Sequence, residues 1–128
     1  MIPAPSARRL LIIDDDPGLL DAFELFMRRE GFQVACAEDG VKGLAKAAVF
    51  KPELIVLDLM MPNLGGLEVI HRLQAQGLGD IPVVIVTGFS KTANVEILHQ
   101  EPNVVEFLEK PLRYGELAAL IRRVLGEK

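Results

Sequence analysis

Five short apolar runs alternate along the chain with segments of helical period: "RLLIID" (9–14), "FQVACA" (32–37), "ELIVLD" (53–58), "PVVIVT" (82–87) and "VVEFLEK" (104–110). At least three of them are apolar at nearly every position, which is how strands read when both faces of a sheet are covered. Between the first two, Leu19, Leu20, Phe23, Phe26 and Met27 form one helical stripe, with Asp16 as N-cap, Pro17 at the first helical position and Gly31 as the stop. The later helical segments are "GVKGLAKAAVF", "GLEVIHRLQAQG", "TANVEILHQ" and "YGELAALIRRVLG"; Gly43 weakens the second helix and Pro102 cuts the fourth short. Strand and helix alternate five times. That order predicts an α/β fold, a doubly wound five-stranded parallel sheet with right-handed crossovers and helices on both faces.

A chain of 128 residues, half of them hydrophobic, fits one domain and leaves no room for a second. Its formal charge is −4 and its lysines and arginines are scattered, so no basic stripe marks it for direct nucleic-acid binding. The start "MIPAPSARR" has prolines where a signal peptide needs an unbroken apolar core, and no apolar run approaches the ~18 residues of a membrane span. A cytoplasmic protein without membrane contact is expected. Cys36 is the single cysteine and reads as a buried reduced thiol; His71 and His99 lack any ligand pattern and read as ordinary surface or core histidines.

Open parallel sheets bind ligands at the carboxyl ends of their strands. The residues there are Asp14, Asp15 and Asp16 after the first run, Asp58 after the third, Thr87 after the fourth and Lys110 after the fifth. Asp39, after the second, reads as a turn or N-cap residue. Two carboxylates about 4 Å apart repel by ~4 kcal/mol at an effective dielectric near 20, so the acidic triplet needs a cation, a proton or open water. Asp16, before Pro17, is a helix cap first. Asp14 and Asp15 are either solvated loop acids or ligands for Mg²⁺, which suits one or two carboxylates and leaves positions for water and a phosphoryl group. A carboxylate nucleophile accepts a phosphoryl group as an acyl phosphate, with an ammonium and a hydroxyl to neutralise its oxygens. Taken singly, Thr87 is an ordinary strand end and Lys110 a surface charge. Taken together, the groups are those needed to phosphorylate an aspartate.

In "LLIIDDD", "VLDLMMPNLGG", "VIVTG" and "FLEKP", in this order and over residues 8–126, the chain resembles the receiver domain of bacterial two-component response regulators. Residues 1–7 precede it as a short tail. The resemblance implies a flavodoxin-like receiver fold, Asp58 as phosphoacceptor, Asp15 as a direct Mg²⁺ ligand, Asp14 acting through water, and the Met60 backbone carbonyl as a further ligand. Thr87 and Lys110 would bind the phosphoryl group, and a cis Lys110–Pro111 bond is admitted. The donor would be a sensor histidine kinase or phosphotransfer protein. Where Gly65 stands the family often carries an acid, so a hydrogen bond of that loop or helix start is in doubt; Gly65 and Gly66 read as permitting a tight loop.

Phosphorylation would pull the Thr87 loop inward, and Phe107 would move with it unless it is a fixed core residue. The signal would emerge on the face of the fourth and fifth helices and the strand between them, including Ile121, Arg122 and Leu125 or their neighbours, as a surface for an output partner or a phosphorylation-dependent homodimer. Arg113 and Arg123 there also read as a plain solvated face. Met60 and Phe89, two residues beyond Asp58 and Thr87, are large and apolar and would exclude water, giving a long-lived phosphoryl state. Two alternatives stand beside this reading. One is a phosphorylation-independent interaction module on a receiver fold. The other is a haloacid dehalogenase-like phosphatase using the DxD spacing of Asp14 and Asp16, for which the acids after Lys110 are only Glu116 and Glu127.

Overall fold

The computed structural model describes residues 7–88 and 100–126. Each apolar run becomes a strand: β1 (Arg9–Ile13), β2 (Gln33–Ala37), β3 (Leu54–Asp58), β4 (Val83–Thr87) and β5 (Val104–Glu109). Among the described residues four helices alternate with them: α1 (Pro17–Arg29), α2 (Gly40–Phe50), α3 (Gly66–Ala75) and α4 (Tyr114–Val124). The helix expected over "TANVEILHQ" lies, but for its last residue, outside the described residues, as do Phe89 and His99. All pairings are parallel and the strand order is β2-β1-β3-β4-β5, the flavodoxin-like order. No described helix is long and apolar enough to cross a membrane.

Period-two alternation divides each central strand between two cores. Leu10, Ile12, Leu54, Val56, Val84 and Val86 face α1 and α4, meeting Phe23, Met27, Leu117 and Ile121. Leu11, Ile13, Ile55, Leu57, Val83 and Ile85 face α2 and α3, meeting Leu44, Ala47, Val69, Ile70 and Leu73. Burying each such side chain contributes about 1.5–3 kcal/mol. β3 and β4 are buried along their whole length, so their carboxyl ends are held rigidly where Asp58 and Thr87 stand.

The expected caps form. Asp16 accepts from Gly18 N at 3.0 Å and Leu19 N at 3.3 Å, Asp39 accepts from Lys42 N at 2.8 Å, and Gly31 follows α1 at φ +98°. Gly43 does not keep the second helix from forming, and it brings that helix close to β1: a Cβ there would lie 2.5 Å from Ile13 Cδ1, so a larger residue forces the Ile13 side chain to shift.

On the last helix the open face falls to the neighbours of Ile121, Arg122 and Leu125 rather than to these three residues. Ile121 is fully buried. Arg122 turns to the end of α1, donating to Glu30 Oε1 at 3.0 Å and Glu30 O at 2.9 Å with its guanidinium 5.2 Å from the Phe32 ring centre, and Leu125 packs against the α1 core. A helix with one face committed to the core exposes the opposite one. Here the groove between β5 and α4, about 580 Å³, is lined instead by residues including Glu106, Leu108, Glu116, Ala119, Leu120 and Arg123. Cys36 is half-buried rather than buried, because its strand is at the sheet edge. Its thiol donates towards Glu24 Oε1 at 3.7 Å and Leu20 O at 3.9 Å, and burial, then the Glu24 charge, push it up to about 11.

Candidate functional site

Parallel strands place their carboxyl ends at one edge, and the polar residues that end the apolar runs collect there. Past β1 the chain stays tied to β2 through Asp14 N donating to Ala37 O at 3.0 Å, which holds the Asp14 side chain inside, fully buried. Its Oδ1 accepts from Asp16 N at 2.9 Å. Its Oδ2 has the Lys110 ammonium 2.9 Å away, an ion-pair contact without a well-directed hydrogen bond. β3 ends on Asp58, 2 % exposed, whose Oδ1 accepts from Met60 N at 3.2 Å and whose Oδ2 lies 3.5 Å from the same ammonium. Lys110 is fixed from the backbone side, its N donating to Thr87 O at 2.9 Å, and the Lys110–Pro111 bond is cis. Thr87 itself is buried.

One cation thus faces two buried carboxylates, while Asp15 is exposed beside them. Burial, and next the Asp14 charge, push the Asp58 carboxyl up to about 6, against the Met60 N–H and Lys110. Burial would lower the Lys110 pKa, but Asp14 and Asp58 outweigh it and raise it. Oxygens of Asp14, Asp15 and Asp58 all lie within 4.8 Å of one another. Three converging carboxylate oxygens with one neutralising ammonium among the described residues fit a hard divalent cation such as Mg²⁺, which would relieve their repulsion.

The strand-end residues named from the sequence therefore come together: Asp14, Asp15, Asp58, Thr87 and Lys110. Met60 joins them through its N–H, with half its surface exposed, while Met61 is buried. Asp16 stands outside the carboxylate cluster and caps α1. Phe107 is half-buried, opposite Ile85 on β4, and packs against the core on the α2 and α3 side. Phe89 lies outside the described residues. Of the two acids after Lys110 that the phosphatase alternative needs, Glu116 is exposed on α4 and pairs with Arg113 at 3.7 Å, outside the carboxylate cluster, and Glu127 lies outside the described residues. His71 is exposed and meets Glu101 at 2.5 Å, in keeping with a surface histidine.

Sequence reasoning passed over Tyr114. Its ring packs on Phe26 with centroids 5.8 Å apart, and burial, then the charges of Asp14 and Asp16, raise its phenol above the ordinary range. The available signal was its place four residues after Lys110, at the start of the helix that follows the site.

The family described as "Response regulator receiver domain" matches residues 10–122. Among curated proteins, the DNA-binding response regulator MtrA of Mycolicibacterium smegmatis is 34 % identical over 115 residues, 90 % of this chain and 49 % of that protein. The DNA-binding dual master transcriptional regulator RpaA of Synechocystis is 36 % identical over 118 residues, 91 % of this chain and 48 % of its own length. This chain spans about half the length of these relatives. Among solved structures, the CheY-like response regulator receiver domain protein of Methanospirillum hungatei superposes with a TM-score of 0.86 at 26 % identity, covering 94 % of this chain and 95 % of that one.

Proposed function

This chain belongs to the response regulator receiver domain family, and on that premise we propose that it accepts a phosphoryl group on Asp58 from a sensor histidine kinase or phosphotransfer protein. Receiver domains of two-component systems are signalling domains, which implies phosphorylation-dependent signalling. Residues 8–126 are assigned to that domain and 1–7 to a tail before it. The observation that carries the reading is the Lys110 ammonium, 2.9 Å from Asp14 and 3.5 Å from Asp58 at the buried end of β3.

An Asp58 carboxylate oxygen forms the new bond to phosphorus while the bond from phosphorus to the donor breaks, its electron pair leaving with the donor. Lys110 neutralises phosphoryl oxygens and the Thr87 hydroxyl donates to one of them. Asp14, Asp15, Asp58 and the Met60 carbonyl would hold Mg²⁺, which when bound neutralises charge on the phosphoryl group. The chain acts only on its own phosphorylation state.

The added charge draws the Thr87 segment inward and Phe107 follows, its partial burial leaving it room that a fixed core ring lacks. A full shift from 1:99 to 99:1 takes about 5.5 kcal/mol of differential interaction. The output is carried by the face at β5 and α4, for a partner protein or a second phosphorylated copy. The scattered basic residues favour a domain that does not itself touch nucleic acid, although its relatives MtrA and RpaA are described as DNA-binding. The exposed Met60 side chain, with Phe89, excludes the hydrolytic water and prolongs the phosphoryl state.

The test is labelling by acetyl phosphate in Mg²⁺ with peptide mapping: the label falls on Asp58 and is lost in Asp58→Asn. Label on Asp14 instead would support the phosphatase reading. Amide signals of Asp58, Thr87 and Phe107 unmoved by Mg²⁺ with beryllofluoride would support the phosphorylation-independent module. A Met60→Asn, Phe89→Glu variant that loses its label at the wild-type rate would overturn the gating role.

A further inference from the structure

The chain has four methionines, of which Met27, Met60 and Met61 are among the described residues. Met27 is fully buried and Met61 is 8 % exposed, whereas Met60 is 51 % exposed. The exposed one stands at the acceptor: its N–H donates to Asp58 Oδ1 at 3.2 Å. A cavity of about 420 Å³ between the Met60 loop and the first turn of α3 leaves a small oxidant room to approach. A thioether is soft and readily oxidised, and exposure makes its sulfur accessible to a dissolved oxidant. Cys36 competes weakly, because burial and then the Glu24 charge hold it as the neutral thiol.

We propose that Met60 is a peroxide-sensitive modification site, and that its oxidation to the sulfoxide shortens the life of the phosphoryl group on Asp58. The inference rests on the reading of Met60 as an apolar barrier to the hydrolytic water. In the step, the Met60 sulfur bonds to one oxygen of hydrogen peroxide as the O–O bond breaks. The proton on the transferred oxygen passes to the departing hydroxide, which leaves as water. The sulfur is oxidised and the peroxide reduced. The product carries a strong acceptor oxygen, where the thioether sulfur is only a weak one. That oxygen holds and orients a water beside the acyl phosphate that the thioether excludes. The domain thereby answers to two inputs at one loop, a phosphoryl donor that sets the signal and an oxidant that shortens it.

The experiment treats the protein with hydrogen peroxide at neutral pH, labels it with acetyl phosphate in Mg²⁺, removes the donor and follows loss of the label from Asp58. Fragment mass spectrometry is expected to place the added oxygen on Met60 ahead of Met27 and Met61. The label is expected to decay about three- to tenfold faster, the worth of one hydrogen bond to the attacking water. Methionine sulfoxide reductases for both epimers restore the slower decay. In Met60→Leu, whatever its own decay rate, peroxide leaves that rate unchanged, which separates Met60 from damage elsewhere. Three results each overturn the proposal: oxygen entering Met27 or Met61 first, an unchanged decay in protein oxidised at Met60, or an equal acceleration of Met60→Leu by peroxide. If decay is unchanged by oxidation but faster in the Met60→Asn, Phe89→Glu variant, the sulfoxide alone is refuted; if neither is faster, the barrier reading falls with it. Untreated wild type that takes no label overturns the assignment of Asp58 and this proposal together.

Discussion

Gly43 lies against Ile13 so closely that a Cβ on the glycine would stand 2.5 Å from Ile13 Cδ1 and 2.7 Å from Cγ1. Ile13 precedes Asp14, so this contact sets the height of the strand that delivers the first buried acid. Gly43→Ala gains about 1 kcal/mol of helix propensity but forces an overpacked contact that costs about 1–3 kcal/mol. The expected net result is destabilisation of roughly 1 kcal/mol, read as a lower urea midpoint. Gly115, in the first turn of α4, has nothing within 4 Å of its would-be Cβ, and Gly115→Ala is expected to stabilise by a few tenths to about 1 kcal/mol. The same substitution at two helical glycines thus carries opposite signs, and equal signs would refute the packing account.

That contact also marks the limit of what was legible in the chain. Apolar runs of the right length gave every strand to within a residue, and because parallel strands end at one edge, the runs' last residues named the carboxylates, the hydroxyl and the ammonium of the site. Those inferences need only local pattern and one topological rule. Gly43 read as a defect because the reason for it is Ile13, thirty positions away in sequence and adjacent only after folding. Which of Ile121, Arg122, Leu125 and their neighbours face outward was open for the same reason: a helix with apolar residues on more than one side does not declare which side meets the sheet. Arg122 and Tyr114 acquire their meanings from α1 and the turn that follows it, Arg122 through Glu30 and Phe32 and Tyr114 through Phe26.

Metal-free protein should show the cost of burying Asp58. Its carboxyl is raised from 3.8 to about 6, so the folded state binds this proton more tightly than the unfolded state. With respect to this group stability is greatest below about pH 4, falls as pH rises through that interval, and is level above it, the total loss being of order 3 kcal/mol. Asp58→Asn is therefore expected to stabilise the metal-free protein at about pH 8 by on the order of 1–3 kcal/mol, and much less at about pH 4.5. Urea unfolding with a chelator present checks this. An equal gain at both pH values would show that the buried charge is not its source.

Cys36 is only partly buried at a sheet edge and yet should be a slow thiol. With its pKa pushed up to about 11 by burial and by Glu24, its thiolate fraction near pH 8 is about two orders of magnitude below that of an ordinary cysteine. Alkylation by iodoacetamide is expected to rise about tenfold per pH unit up to about pH 10. Glu24→Gln removes the second cause and should speed the reaction near pH 8. A rate that levels off before about pH 9 would contradict the assignment.

Gly65 opens α3 without a side-chain cap, the one helix start next to the acceptor loop that lacks what Asp16 and Asp39 supply to α1 and α2. Its backbone, φ −75° and ψ 168°, already has the extended conformation of a capping residue, and nothing lies within 4 Å of its would-be Cβ. Gly65→Asp therefore meets no steric cost, gains an acceptor for the free N–H groups of the first turn, and reduces the entropy of the unfolded chain. A carboxylate there also complements the positive end of the helix dipole. Against this stands repulsion from the Asp14, Asp15 and Asp58 group, which Lys110 only partly neutralises. The balance is expected to favour the variant by about 0.5–1 kcal/mol at moderate salt, where exposed charges are screened beyond ~10 Å. Gly65→Asn, which caps without charge, separates the two terms: if Asn stabilises and Asp does not, repulsion from the acid cluster reaches the start of α3, and if neither raises the urea midpoint, the uncapped helix start costs the fold nothing.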